Sequence, residues 1–258
     1  MDTNFIHSII LGLVQGLTEF LPVSSSGHLI LVPWLMGWQE NGIFFDISLH
    51  LATLFAVLLY FRKDWMHILR NERKLFWYII IATIPAGLAG LFLGDRVGEY
   101  FRNPLSVAAM LGFFGLVLYA ADAAGKKNKS MGMLTLGTAF LIGLAQMLAI
   151  IPGVSRSGIT MSIALLLGFN RESSVRFSFL LIAPIILAAG CKGIIDIAKI
   201  HYELPWAVFL SGFAAAFLSS IIAIHFLIKY IRTRPFTVFV IYRLLASASV
   251  AAIVLFKR

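Results

Sequence analysis

The chain has 258 residues, 60% of them hydrophobic and only 13% charged, and its mean hydropathy is +0.91; soluble domains are roughly half apolar, so an integral membrane protein is expected. The net charge of +9 does not point to nucleic acid, because the cations sit in short loops between apolar runs and form no basic stripe interleaved with aromatics. The lone Cys191 excludes an intramolecular disulfide and a cysteine-based metal cluster. Met1-Asp2-Thr3-Asn4 has no basic n-region and no small-residue cleavage site follows the first apolar run, so no removable signal peptide is expected.

In chain order, two short apolar pieces come first, near 5–20 and 25–38, broken at Pro22 and a serine run. Apolar runs follow at about 45–61, 75–94 and 104–121, each long enough or nearly so to cross a bilayer, whose core takes about 20 helical residues. The pattern then recurs. Short pieces near 133–150 and 156–168 are broken at Pro152-Gly153, and runs at about 175–191, 205–228 and 236–256 complete the chain. Pieces that short suit a re-entrant hairpin. The expected fold is an all-α polytopic membrane protein, one integral membrane domain over residues 1–258. Its repeats cover about 1–125 and about 131–258, each a re-entrant helix hairpin plus three transmembrane helices. An odd number of spans inverts the second repeat, which lets the two hairpin tips meet near the midplane.

Charge placement tests this scheme independently. It assigns Arg62, Lys63, Arg70, Arg73, Lys74, Lys126, Lys127, Lys129, Arg171, Arg176, Lys229, Arg232 and Arg234 to one side, and only Arg96, Arg102, Lys192, Lys199, Lys257 and Arg258 to the other. The richer side is expected to be cytoplasmic, with both termini and the mouth of the first hairpin outside. The stretch from Arg62 to Lys74 reads as a basic loop and topology signal. Arg156 and Arg243 fall on neither side. Each lies inside apolar sequence, where a cation costs at least about 2.5–3.5 kcal/mol and needs an anionic partner or a wet cavity.

The two hairpins share more than hydrophobicity. Gly12 to His28 lies without a gap on Gly143 to Ile159 at a shift of about 131 residues, with Gly12/Gly143, Gln15/Gln146, Val23/Val154, Ser24/Ser155, Ser26/Ser157 and Gly27/Gly158 among the matches. Where the copies differ, Glu19, Ser25 and His28 face Ile150, Arg156 and Ile159. Each tip is a serine turn before a helix, so capping serines and free N–H groups make each an anion site. Two such ends with the Arg156 guanidinium suit a phosphate or diphosphate. Gln15 and Glu19 share a helix face. Glu19 has three roles open to it: holding Arg156, binding a divalent cation with Gln15, or acting as a base. His28, beside the serines, is suited to carrying a proton at neutral pH. Asp46 and His50, again four apart, are candidates to second the site, against an ordinary dipole role for Asp46. For Arg243 the readings are pairing with Glu172, contact with a lipid headgroup, or snorkelling.

The segments Gln15-x-x-x-Glu19, Phe20 to His28 and Pro152 to Gly158 resemble the two signature motifs of the bacterial undecaprenyl-diphosphate phosphatase family, the bacitracin-resistance type. The resemblance extends through Asp46, Phe177 to Pro184 and Ile241-Tyr242-Arg243. It implies hydrolysis of undecaprenyl diphosphate to the monophosphate and inorganic phosphate at the outer face of the bacterial plasma (inner) membrane, which recycles the lipid carrier of peptidoglycan synthesis and confers bacitracin resistance. A divalent cation, Mg²⁺ or Ca²⁺, is implied, and no organic cofactor. Glu19 and His28 match the family's acid/base or metal-linked positions, Ser25 its candidate nucleophile and Arg156 its phosphate-binding arginine. Gln15, Ser24, Ser26, Gly27, Ser155, Ser157 and Gly158 are the expected substrate-binding positions, and Glu19 and Gln15 the expected metal ligands. A pairing of subunits would be unsurprising. The rival class is a secondary transporter or flippase for a polyprenyl phosphate or other anion, since inverted repeats with broken helices are common there. A nucleophile and a proton carrier beside the anion site favour the enzyme.

Overall fold

The structure, a computed structural model, describes residues 3–39, 42–198 and 205–256. These form eleven α-helices and no strand. Helices α1 (Thr3–Phe20) and α2 (Ser25–Met36) make the first hairpin. After α3 (Ile43–Tyr60), α4 (Arg62–Asn71), α5 (Arg73–Phe101) and α6 (Pro104–Ala124), the second hairpin consists of α7 (Leu136–Gln146), a 3₁₀ turn over Met147–Ile150, and α8 (Arg156–Leu166). Then come α9 (Arg171–Ala198), α10 (Trp206–Tyr230) and α11 (Thr237–Phe256). Helices α5, α6, α9, α10 and α11 are each long and apolar enough to cross a membrane, and α3 with α4 makes a sixth candidate if the pair is counted as one span. The chain is an all-α, multi-pass membrane protein.

One segment departs from the sequence reading. The stretch taken as a basic loop is helix α4, bent 69° from α3. Its charges lie around a narrow apolar face in which Ile68 is buried and Trp65 packs on the core, the pattern of an interfacial helix. Helix α5 also runs on to Phe101, beyond the apolar limit at 94.

Small residues set the closest helix contacts, as they do where lipid gives helices no hydrophobic reason to associate. Helix α1 lies along α10 and α7 lies along α5. A β-carbon on Gly16 would stand 2.0 Å from Ser219 Oγ, and one on Gly143 2.0 Å from the Ala82 carbonyl oxygen. The pairs α3 with α10, α9 with α5, α3 with α9 and α6 with α11 complete the bundle. Phe20, Phe179 and Phe236 are fully buried at its centre. The two hairpins pack into this bundle with one face of α1 and of α7 left exposed, and their tips touch through Ser157 and Leu21 and through Arg156 and Glu19.

Candidate functional site

Each tip begins at a serine forced into an unusual backbone. Ser24 has φ 75° and Ser155 φ 72°, a region that non-glycine residues enter rarely and at a cost. What holds them there is capping: Ser24 Oγ accepts from Gly27 N at 3.4 Å and Ser155 Oγ from Gly158 N at 3.1 Å. Ser157 Oγ donates to the Leu21 carbonyl at 3.1 Å, stitching one tip to the other. A β-carbon on Gly27 would meet Gly153 Cα at 3.4 Å, and one on Gly158 would meet Arg243 Nη1 at 3.1 Å. Thus Ser24, Ser157, Gly27 and Gly158, all expected at the substrate, serve here to cap and pack the turns.

Arg243 resolves differently from every sequence reading of it. Glu172 pairs with Arg232 at 3.8 Å, and Arg243, fully buried, does not snorkel and reaches no carboxylate among the described residues. It donates to the carbonyls of Leu111 (3.0 Å) and Pro22 (3.0 Å), and its Nη2 reaches those of Gly153 (2.9 Å) and Val154 (3.1 Å). Pro22 belongs to the first turn and Gly153 and Val154 to the second. One guanidinium from α11 clamps both tips and solvates its own charge with carbonyl dipoles.

Between the tips stands Glu19, its side chain 2% exposed. Its Oε1 takes the Arg156 guanidinium; its Oε2 accepts from Ser25 Oγ at 2.5 Å and from Gln15 Nε2 at 3.0 Å. His50 Nε2 lies 3.8 Å from the same oxygen. The His50 Nδ1 is 2.8 Å from the Asp46 carbonyl; a carbonyl only accepts, so Nδ1 donates that bond and the ring turns its Nε2 towards Glu19. The structure therefore joins Gln15, Glu19, Ser25, His50 and Arg156. His28 is directed elsewhere. Its Nδ1 donates to the Ser24 carbonyl (2.7 Å) and its Nε2 accepts from Tyr242 Oη (2.6 Å), so both ring nitrogens are engaged at the base of the turn, and neither Glu19 nor Ser25 figures among its partners.

A cavity of about 900 Å³ opens at this cluster. Glu19, Ser25, Ser26, His50, Gln146, Ser155 and Arg156 line its polar end, and α5 and α9 form a long apolar wall. On α5, Gly87, Gly90 and Gly94 line it, with open space where a side chain would stand. Asp46, Arg102's partner at 3.7 Å, and Lys192 also line it. A buried anion and cation with a serine at the head of an apolar slot suit an amphiphile whose anionic end is to be attacked or held.

Among the described residues no three His, Cys, Asp or Glu side chains gather to cage a metal. The donors present, the Glu19 carboxylate and the buried, unpartnered Gln15 Oε1, fit a hard cation that takes one carboxylate and fills its remaining positions with phosphate oxygens and water. Sequence reasoning passed over Gln146 and Tyr242. The repeat itself carried a signal for the first, since Gln146 falls on Gln15; nothing in the sequence paired Tyr242 with His28.

Residues 8–249 match the family model described as bacitracin resistance protein BacA. Similar curated proteins include an undecaprenyl-diphosphatase of Desulforudis audaxviator (strain MP104C), 45% identical over 98% of this chain and 99% of the relative. One of Pelotomaculum thermopropionicum is 43% identical over 95% of this chain and 94% of the relative. An undecaprenyl-diphosphatase 1 of Pseudoalteromonas translucida (strain TAC 125) is 44% identical over 94% and 96%.

Proposed function

The chain belongs to the bacitracin resistance protein BacA family, and from that membership and the site we infer that it is an undecaprenyl-diphosphatase, a membrane phosphatase that converts undecaprenyl diphosphate to the monophosphate and inorganic phosphate. The observation that carries the reading is the serine hydroxyl held 2.5 Å from a buried carboxylate, beside an arginine, at the polar head of an apolar slot. The polyprenyl chain lies along the glycine-lined wall of α5, and the diphosphate meets Arg156 and the first turns of α2 and α8.

In the mechanism we propose, Glu19 accepts the Ser25 proton as Oγ bonds to the terminal phosphorus and the bridging P–O bond breaks, releasing the lipid monophosphate. Water then attacks the phosphoserine, Glu19 returns the proton to Oγ, and inorganic phosphate leaves. Arg156, whose buried Nε has no protein partner, holds the charge of the transferring group. Glu19 and Gln15 would hold a divalent cation, which would neutralise charge on the diphosphate. His50 is the next side chain beyond Glu19, and His28 fixes the first turn to α11.

Asp46 and Lys192, which line the cavity, and Arg102, which pairs with Asp46, lie on the side expected outside, which supports hydrolysis at the outer face of the plasma membrane. The pairings α1 with α10 and α7 with α5, and α3 with α10 and α9 with α5, exchange under a two-fold relation between the halves. So do the matched turn conformations of Ser24 and Ser155. Both support the inverted repeat. The test is phosphate release from undecaprenyl diphosphate by purified protein in detergent, with and without a chelator, beside Glu19→Ala. Release lost in the variant is expected; no release from folded wild-type protein overturns the reading and moves the balance to transport. Phosphoserine trapped at Ser25 is the expected intermediate, and substantial turnover in Ser25→Ala would rule the covalent route out.

A further inference from the structure

We propose that Gln146 is a direct ligand of the substrate's diphosphate, supplied by the second hairpin opposite Glu19; the inference rests on the phosphatase reading and extends it to a residue with no assigned role. The repeat places Gln146 on Gln15, but the two amides have different company. Gln15 finds Glu19 four residues on and donates to it at 3.0 Å, whereas the corresponding residue after Gln146 is Ile150. Gln146 is 1% exposed, and neither its Oε1 nor its Nε2 has a hydrogen-bond partner in the protein. Because both ends are unpartnered, the conclusion does not depend on which way the amide is turned.

Buried polar groups are nearly always paired, and a carboxamide left with neither bond made is an expensive way to fill space that a methionine or leucine would fill at no such cost. The expense is not spread over the molecule. Among the described residues, the buried side-chain atoms without a partner belong to Gln15, Trp65, Gln146 and Arg156. Trp65 aside, these are the glutamine on Glu19, the arginine on Glu19 and the glutamine that shares the cavity's polar end with Glu19 and Arg156. An amide donor and a guanidinium donor, both unspent and lining one cavity, are complementary to an oxyanion with several lone pairs. The amide adds a contact without adding charge, so it can hold the diphosphate without competing with Arg156 for Glu19. The repeat thus supplied two glutamines, one retained to hold the carboxylate and one released to hold the substrate.

The measurement uses purified full-length protein in detergent, with Gln146→Met, near in volume but apolar, and Gln146→Asn, polar but shorter by one methylene. Thermal unfolding is recorded with and without inorganic diphosphate, and phosphate release from undecaprenyl diphosphate is followed kinetically. Gln146→Met is expected to unfold at the wild-type temperature or above it when free of ligand, because it removes unpaired buried groups. It should also lose most of the diphosphate-induced shift and about tenfold or more in kcat/KM. Gln146→Asn should fold and share the loss of binding. A Gln146→Met protein that melts earlier than wild type while keeping its diphosphate shift and kcat/KM within about twofold would make Gln146 structural and overturn the proposal, as would full activity and binding in Gln146→Asn. The diphosphate shift reads Gln146 even if the wild type releases no phosphate, so the failure of this inference and the failure of the phosphatase reading give different results.

Discussion

Arg156 and Arg243 both stand in apolar sequence, and the cost of a cation at that depth flagged each of them. What the sequence could not supply was the partner, because Glu19 lies 137 residues from Arg156 and the acceptors of Arg243 are backbone carbonyls on α6 and on both tips. The two therefore fail differently when replaced. Arg156→Lys keeps a charge near Glu19 but loses the planar fork and the free Nε, so turnover should fall by about a hundredfold while the protein melts close to the wild-type temperature. Near-normal kcat/KM in that variant would make Arg156 structural. Arg243→Met leaves the carbonyls of Pro22, Gly153 and Val154 buried without a donor, and should cost about 2–4 kcal/mol of stability and the convergence of the tips with it. A denaturation curve in detergent checks this, and an unchanged midpoint would mean that the clamp does not hold the turns. Glu19 was identifiable from residue type and spacing; among the three serines only the family resemblance pointed to Ser25, and the geometry agrees, since it is the Ser25 Oγ that reaches the carboxylate.

At the scale of elements, the positions of the helices were largely legible. Apolar length marks spans, and Pro22 and Pro152-Gly153 mark the breaks. Helix α4 was not, because a dense run of Arg and Lys masks an apolar face only two or three residues wide, and burial of Ile68 depends on neighbours brought from α5 and α9. Nor was the left-handed backbone of Ser24 and Ser155, which runs against residue preference and survives because the fold on either side determines it. The repeated glycines carried information of a different kind. Gly12 and Gly143 recur at the same place in the two hairpins, and the structure gives the reason: each lets its helix close on a backbone, α10 for Gly12 and α5 for Gly143. Gly143→Val should push α7 off Ala82 and destabilise the protein by about 1–3 kcal/mol, displacing Gln146 and the second tip with it. Thermal midpoint and kcat/KM should fall together, and a well-folded Gly143→Val enzyme of normal activity would show that the close approach is dispensable.

For the molecule as a whole, orientation in the membrane decides which leaflet supplies the substrate. The basic loops expected on the cytoplasmic side prove to be neighbours at one end of the bundle. Arg171 donates to Asp122 at 2.7 Å, Lys127 pairs with Asp122, Arg176 with Asp64 and Arg232 with Glu172. These links join α4, the ends of α6 and α10, and the start of α9. Lys129 adds its own bond to the Leu167 carbonyl at 2.8 Å. Arg102 and Asp46 pair at the opposite end, where Asp46 lines the cavity; Lys199, Lys257 and Arg258, also assigned there, lie outside the described residues. By the positive-inside rule a surplus of cations bound into one end should orient the protein with that end inward, and on the proposed reading the cavity would then take lipid from the outer leaflet. Single cysteines in a Cys191→Ser background test this directly, since Glu99 and Lys126 are both exposed and stand at opposite ends. In intact cells, a membrane-impermeant thiol reagent should label Glu99→Cys readily and leave Lys126→Cys unmodified until the membrane is permeabilised. The reverse pattern would turn the molecule over and place hydrolysis on the cytoplasmic side, and equal labelling of both before permeabilisation would mean that the charge surplus does not fix a single orientation.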